Sequence, residues 1–271
     1  MLFLDRRDAG RQLLDHLWAF RGPDVVVLGI ARGGVAVAHE IAMGLRVALD
    51  VIVVHELHTR GGPDRVVGAI AEHGVPVTDD DTADSVTGGH AELARIEQTE
   101  RDRLRRRAEY LRCGRPSTSL IDRTAVIVAD AVQTAAVHRA ACRSAYAQGA
   151  VRVVFAAPVG RHRVIHALAA DADNIVCPHI PPQLATLDGW YQHFAPLTDT
   201  DVGVLLQRTA SPRCRIQPRH PENGVAVPPR AKSAPASKTP TAEPPDRSDD
   251  LAIVAQRFPL TCTVPHCHWG L

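Results

Sequence analysis

Between residues 1 and 207, short apolar runs alternate with longer amphipathic stretches, the pattern of a parallel sheet covered by helices. Five runs read as strands: Val25 to Ile30, Leu49 to Val54, Thr124 to Ala129, Val151 to Ala157 and Asn174 to Cys177. They are apolar almost throughout, as strands covered on both faces should be. Helices are predicted after several of them, at Val35 to Leu45, Ala135 to Gln148 and His162 to Ala170, with a leading helix over Asp5 to Phe20. A longer helix, Gly89 to Leu111, places Leu93, Ile96, Leu104, Ala108 and Leu111 on one stripe, and spaces Glu97 with Arg101 and Asp102 with Arg106 for ion pairs.

The pattern stops near Gln207. From Arg208 to Asp250, Pro, Arg, Ser, Thr and Lys replace the apolar runs. So few large apolar side chains cannot offset the entropy cost of ordering the backbone. The expected organisation is therefore one α/β domain over 1–207 and a Pro-rich, largely disordered extension over 208–271. Leu251 to Leu271 regains some apolar residues without a readable fold.

Charge narrows the partners. A formal net charge of +1 supplies no global field to gather nucleic acid or anionic lipid. The run Arg103 to Arg107 has acidic residues just before it and reads as a solvated helix face. Six scattered cysteines make no disulfide framework. Charges at Asp5, Arg6 and Arg7 interrupt any secretory apolar core, and no later stretch is long enough to span a bilayer. A cytoplasmic protein with a small-molecule ligand is expected, without nucleic acid or membrane partners; a homo-oligomer stays open.

Two strand-to-helix turns carry the candidate chemistry, because phosphate sites in such sheets form where helix amino termini meet strand carboxyl ends. The first is Gly29-Ile30-Ala31-Arg32-Gly33-Gly34: glycines allow close backbone approach to an anion, and Arg32 offers a fork of donors. Its spacing is not that of the dinucleotide fingerprint, and a purely structural tight turn also fits. The second is Val128-Ala129-Asp130-Ala131-Val132-Gln133-Thr134-Ala135-Ala136-Val137.

The second turn resembles the ligand loop of type I phosphoribosyltransferases, in which two acidic residues, a glycine and a Thr-Gly-Thr-like end enclose a ribose 5-phosphate. Asp130 and Thr134 match; Ala129, Ala131, Ala135 and Val137 replace the first acid, two glycines and the last hydroxyl. Other segments agree in order with a small bacterial branch of that family. They are Arg32 to Val35, Val67 to Ala71, Gly114-Arg115-Pro116, Pro158-Val159, Val176-Cys177-Pro178, and Leu187 to Phe194. The resemblance implies a type I phosphoribosyltransferase fold, a central mostly parallel sheet flanked by helices. It also implies a reaction on 5-phosphoribosyl 1-pyrophosphate, with magnesium accompanying the diphosphate and an unknown nitrogen acceptor.

On that resemblance, Arg32, Gly33 and Gly34 would hold pyrophosphate, and Asp130 would accept the ribose hydroxyls. Thr134 and the N–H groups of Ala131, Val132, Gln133, Thr134, Ala135 and Ala136 would hold the 5-phosphate. Ala129 halves the acceptor set, and a Cβ at Ala131 or Ala135 disfavours positive φ, narrowing the cradle. After the second strand the chain reads His55-Glu56-Leu57-His58 where the branch carries a basic pair, leaving Arg32 and Arg60 to compensate. A non-catalytic ligand-binding or regulatory protein on the same fold is the alternative.

Remaining clusters are weaker. Asp79-Asp80-Asp81 with Asp84 reads as a solvated acidic loop rather than a magnesium site. Cys262, His266, Cys267 and His268 lack paired zinc-ligand spacing, so no protein-held metal is expected. Trp190 and Tyr191 could stack on a base or pack against the sheet. Without a Gly-x-Ser-x-Gly elbow, a serine hydrolase has no support.

Overall fold

The structure, a computed structural model, describes residues 2–58, 66–74, 76–78, 89–181 and 189–209. After helix α1 (Arg6–Leu14) the main sheet starts with β1 (Val25–Ile30), α2 (Gly33–Leu45) and β2 (Ala48–Ile52). A second sheet interrupts with β3 (Val54–His58), β4 (Val66–Ala71) and β5 (Val77–Thr78), followed by α3 (Gly89–Leu111). The first sheet then resumes through β6 (Thr124–Val128), α4 (Ala135–Ala147), β7 (Arg152–Ala156), α5 (His162–Leu168) and β8 (Asn174–Val176). The last described element is α6 (Asp199–Thr209).

The five strands pair in the order β2-β1-β6-β7-β8, parallel at every contact. Helices cover both faces, and the side-chain period of two sorts the core accordingly. In β1, Val25 and Val27 pack with α1, α2, α3 and α6, whereas Val26, Leu28 and Ile30 pack with α4 and α5. This is why the strand runs are apolar without alternation. Among the described residues no helix is long and apolar enough to cross a membrane.

Three departures from the expected elements have local causes. The run Leu49 to Val54 splits, because the Val53 carbonyl accepts from the Glu72 amide and its own N–H donates to Glu72 Oε1, turning the chain into the antiparallel sheet β3-β4-β5. The leading helix ends at Leu14: Asp15, His16 and Leu17 donate to carbonyls three residues back, tightening the last turn before a short 3-10 turn at Trp18–Phe20. Helix α6 was not anticipated, although Thr198 and Asp201 form a reciprocal capping box at its start. Expectations for Arg60, Asp79 to Asp81, Asp84, Leu187, Asp188 and the extension from 210 onward lie outside the described residues.

Arg112, just past the end of α3, ties the two sheets together. Its Nε donates to Asp50 Oδ1 (2.9 Å), one terminal nitrogen to Glu72 Oε2 (2.7 Å), and the other to both Glu72 Oε1 (2.8 Å) and the Val51 carbonyl (2.7 Å). All three charged residues are buried. Removing one member of such a cluster leaves uncompensated charge in the interior. Arg112→Leu is therefore expected to cost about 3–5 kcal/mol in urea denaturation, and a loss below 1 kcal/mol would contradict this role.

Candidate functional site

Strands β1 and β6 are neighbours, with Gly29 paired to Val128, so the turns that leave them emerge side by side at one edge of the sheet. Residues 31–34 lead into α2 and residues 129–134 into α4. The two turns touch. A Cβ at Gly33 would land on the Asp130 carboxylate, and one at Gly34 on the Val128 carbonyl oxygen. Glycine is needed here for close approach, since the first turn of α2 lies directly on the end of β6.

Both helices present uncapped amino termini at this place. Arg32 and Thr134 occupy the cap positions of α2 and α4, and neither side chain bonds the helix backbone. First-turn N–H groups of that kind suit an anion. The Ala31–Arg32 peptide bond is cis.

The second turn follows a path the sequence did not suggest. Val132 forms a bridge with Gly160: its N–H donates to the Val159 carbonyl and its carbonyl accepts from Arg161. Val132 is thereby fully buried and its N–H is taken, so it leaves the anticipated phosphate-binding set. Among the described residues, none from 129 to 136 has positive φ. Ala131 and Ala135 therefore fit without the backbone strain expected of them, because the loop takes a conformation open to any L-residue. Thr134 is exposed, and its carbonyl lies 2.6 Å from His138 Nδ1, one turn into α4. Burial lowers the pKa of His138 and keeps the ring neutral, bonding to this carbonyl through Nδ1–H.

The two charged residues foreseen at the site are each engaged by a partner that was not. Asp130 Oδ2 accepts from Arg6 Nε at 2.8 Å. Arg6 also donates to the Ala195 carbonyl (2.8 Å) and lies over the Phe194 ring, 3.7 Å from its centroid. Tyr191 donates its hydroxyl to the Asp130 carbonyl (2.6 Å) and stacks on Phe194. Burial and the nearby Asp130 charge push the Tyr191 phenol well above its usual range, so it remains a donor. Of the two readings for these aromatics, Tyr191 follows the packing one: it is buried against Phe3.

Arg32 donates to Asp199 Oδ1 (2.8 Å) at the start of α6, and Arg107 donates to the same oxygen (3.0 Å). Burial works to raise the pKa of Asp199, but the two arginines outweigh it and hold the carboxyl below its ordinary value. The chain of contacts continues from Arg107 to His55 Nε2 (3.4 Å) and from His55 Nδ1 to Glu100 (2.9 Å), linking the Arg-Gly-Gly turn to the small sheet and α3. Glu56 lies 3.7 Å from His58. The partners of Arg6 and Arg32 are distant in sequence, so no spacing rule could have paired them; the capping box at Thr198 was the one local sign that Asp199 begins a helix.

Elsewhere, a cleft of about 470 Å³ lies between α3 and the small sheet. Of the arginines lining it, Arg112 is held by Asp50 and Glu72, and Arg101 by Glu97 and the Gly74 carbonyl. Neither turn contributes to it. Cys113, Cys142 and Cys177 are free, and burial pushes the Cys177 thiol up to about 12, which removes it as a nucleophile near neutral pH.

Comparison with known proteins agrees with this architecture. The phosphoribosyl transferase domain family model matches residues 6–179, and the chain belongs to that family. Two Mycobacterium tuberculosis proteins, from strains CDC 1551 / Oshkosh and ATCC 25618 / H37Rv, each named "Putative phosphoribosyl transferase", are 37% identical over 275 residues. The alignment takes in 100% of this chain but 57% of theirs, so the chain spans little more than half the length of these relatives. The crystal structure of TT1426 from Thermus thermophilus is similar with a TM-score of 0.67 and 36% identity, covering 78% of this chain and 100% of that one. The expected family and fold class are thus borne out.

Because Gly34 sits against the backbone of β6, no side-chain movement can relieve an added methyl group. Gly34→Ala is expected to lower stability by about 1–3 kcal/mol, read as a reduced urea midpoint; an unchanged midpoint would show that the turns are not packed as described.

Proposed function

We propose that the chain is a phosphoribosyltransferase acting on 5-phosphoribosyl 1-pyrophosphate. The observation that carries this reading is the contact of Gly33 and Gly34 with residues 128–130, beside two uncapped helix termini. A diphosphate laid on the first turn of α2 and a 5-phosphate laid on the first turn of α4 would be joined by one ribose, whose hydroxyls meet Asp130 between them. A nitrogen nucleophile forms a bond to C1 as the C1–O bond breaks, and the electron pair leaves with pyrophosphate. Positive charge near the leaving oxygens is the protein's main contribution to such a step.

In these roles Arg32, Gly33 and Gly34 hold the pyrophosphate, Asp130 accepts the ribose hydroxyls, and Thr134 with the N–H groups of Ala131, Gln133, Ala135 and Ala136 holds the 5-phosphate. Arg32 must first exchange Asp199 for the diphosphate. That exchange is inexpensive, since Arg32 is half exposed and a pair of this kind is worth roughly 0–1 kcal/mol.

Magnesium fits this site as a companion of the diphosphate. Among the described residues no three metal-ligating side chains gather, and the nearby carboxylates, Asp130 and Asp199, are bound to arginines. Its ligands would then be diphosphate oxygens and water, the arrangement magnesium favours with nucleotide phosphates. When bound it neutralises charge on the leaving group.

A second reading, a ligand-binding or regulatory protein without turnover, is favoured by Ala129, Ala131 and Ala135, which bring no polar side chain to the loop. Calorimetry with 5-phosphoribosyl 1-pyrophosphate and magnesium tests the site. Micromolar binding is expected, weakened about tenfold or more by Asp130→Asn; no binding to the wild-type chain would overturn it. Release of pyrophosphate on adding nitrogenous bases separates the enzyme from the binding protein.

A further inference from the structure

Ala129 brings no carboxylate to the loop, so on the proposed function Asp130 alone must hold the ribose, from a single, well-defined position. Asp130 is held in that way. Arg6 grips its Oδ2, Tyr191 grips its backbone carbonyl, Phe194 stacks on both Arg6 and Tyr191, and these three residues with Asp130 form a closed ring of contacts. Among the described residues Oδ1 makes no hydrogen bond, which leaves it as the oxygen available to a ligand.

The ring is itself fastened. Leu2 and Phe3 donate to the Trp190 carbonyl, while Gln192 and His193 donate to the carbonyls of Phe3 and Leu4, pairing the segment before α1 with the one that carries Tyr191 and Phe194. Arg6 is the first residue of α1 and its side chain is only 12% exposed. Stability alone is a poor reason for this arrangement, because a partly buried ion pair gains little net energy over apolar side chains of the same volume. Arg6 Nε also lies 2.9 Å from where a Gly33 Cβ would stand, so the guanidinium reaches the junction of the two turns.

Resting on the proposed function, we infer that Arg6 is a specificity-determining positioning residue, orienting Asp130 Oδ1 so that the site selects a hydroxylated ribose phosphate over its deoxy counterpart. A fixed acceptor that loses its hydroxyl donor is left unpaired, and this is the strongest form of discrimination available to a polar site. The fork geometry matters as well as the charge: Nε and a terminal nitrogen reach two partners at once while the plane stacks on Phe194, which an ammonium cannot reproduce.

The test compares ribose 5-phosphate with 2-deoxyribose 5-phosphate by calorimetry on the full chain. Wild type is expected to prefer ribose 5-phosphate by about tenfold or more. Arg6→Gln and Arg6→Lys should both bring the ratio near one by weakening only the ribose ligand, and Arg6→Gln should add nothing in an Asp130→Asn background. Should Arg6→Gln fail to fold, Arg6→Lys, which keeps the charge, carries the test. A wild-type ratio retained in the folded variants would overturn the inference and leave the sugar-phosphate site standing. Equal wild-type affinity for the two sugars would also overturn it, whereas no binding of either would overturn the site together with it.

Discussion

The site depends on the absence of two side-chain carbons. Gly33 and Gly34 let the first turn of α2 lie against the end of β6, so that free N–H groups of one helix, a carboxylate from the turn after the neighbouring strand and the start of α4 share one small volume. Any other residue at either position would push the turns apart by at least a methyl group. Parallel pairing of β1 with β6 supplies the other half of the constraint, since it brings both carboxyl ends to the same edge.

The charged side chains at this edge find partners within the chain. Asp130 is matched by Arg6, and Arg32 shares Asp199 with Arg107. The pairs differ in burial, and that difference assigns them different roles. Arg32 is exposed enough to change partners at little cost, as an arginine must if it is to meet a diphosphate. Arg6 is enclosed, doubly bonded and stacked, which suits a fixed support.

The parallel sheet was legible because buried strands are written as unbroken apolar runs, and Val25–Ile30 and Thr124–Val128 appear in the structure almost as read. The small antiparallel sheet was not, since β3 mixes His and Glu with Val and Leu, and in β4 a glycine and two alanines follow Val66 and Val67; only the family resemblance marked part of it. Arg32, Gly33, Gly34, Asp130 and Thr134 were visible as a pattern of turn residues after strands. Arg6, lying 124 positions from Asp130, was not, because a tertiary ion pair leaves no periodicity. Val132 was misjudged for a related reason: its bridge to Gly160 depends on where β7 ends in space.

Amide chemical shifts of the isotope-labelled chain, followed while ribose 5-phosphate and then pyrophosphate are added, address the convergence of the two turns most directly. The account predicts that ribose 5-phosphate moves Ala131, Thr134, Ala135 and Ala136, that pyrophosphate moves Gly33 and Gly34, and that either ligand perturbs Asp130. Shifts confined to one turn, or scattered over the cleft beside α3, would contradict it.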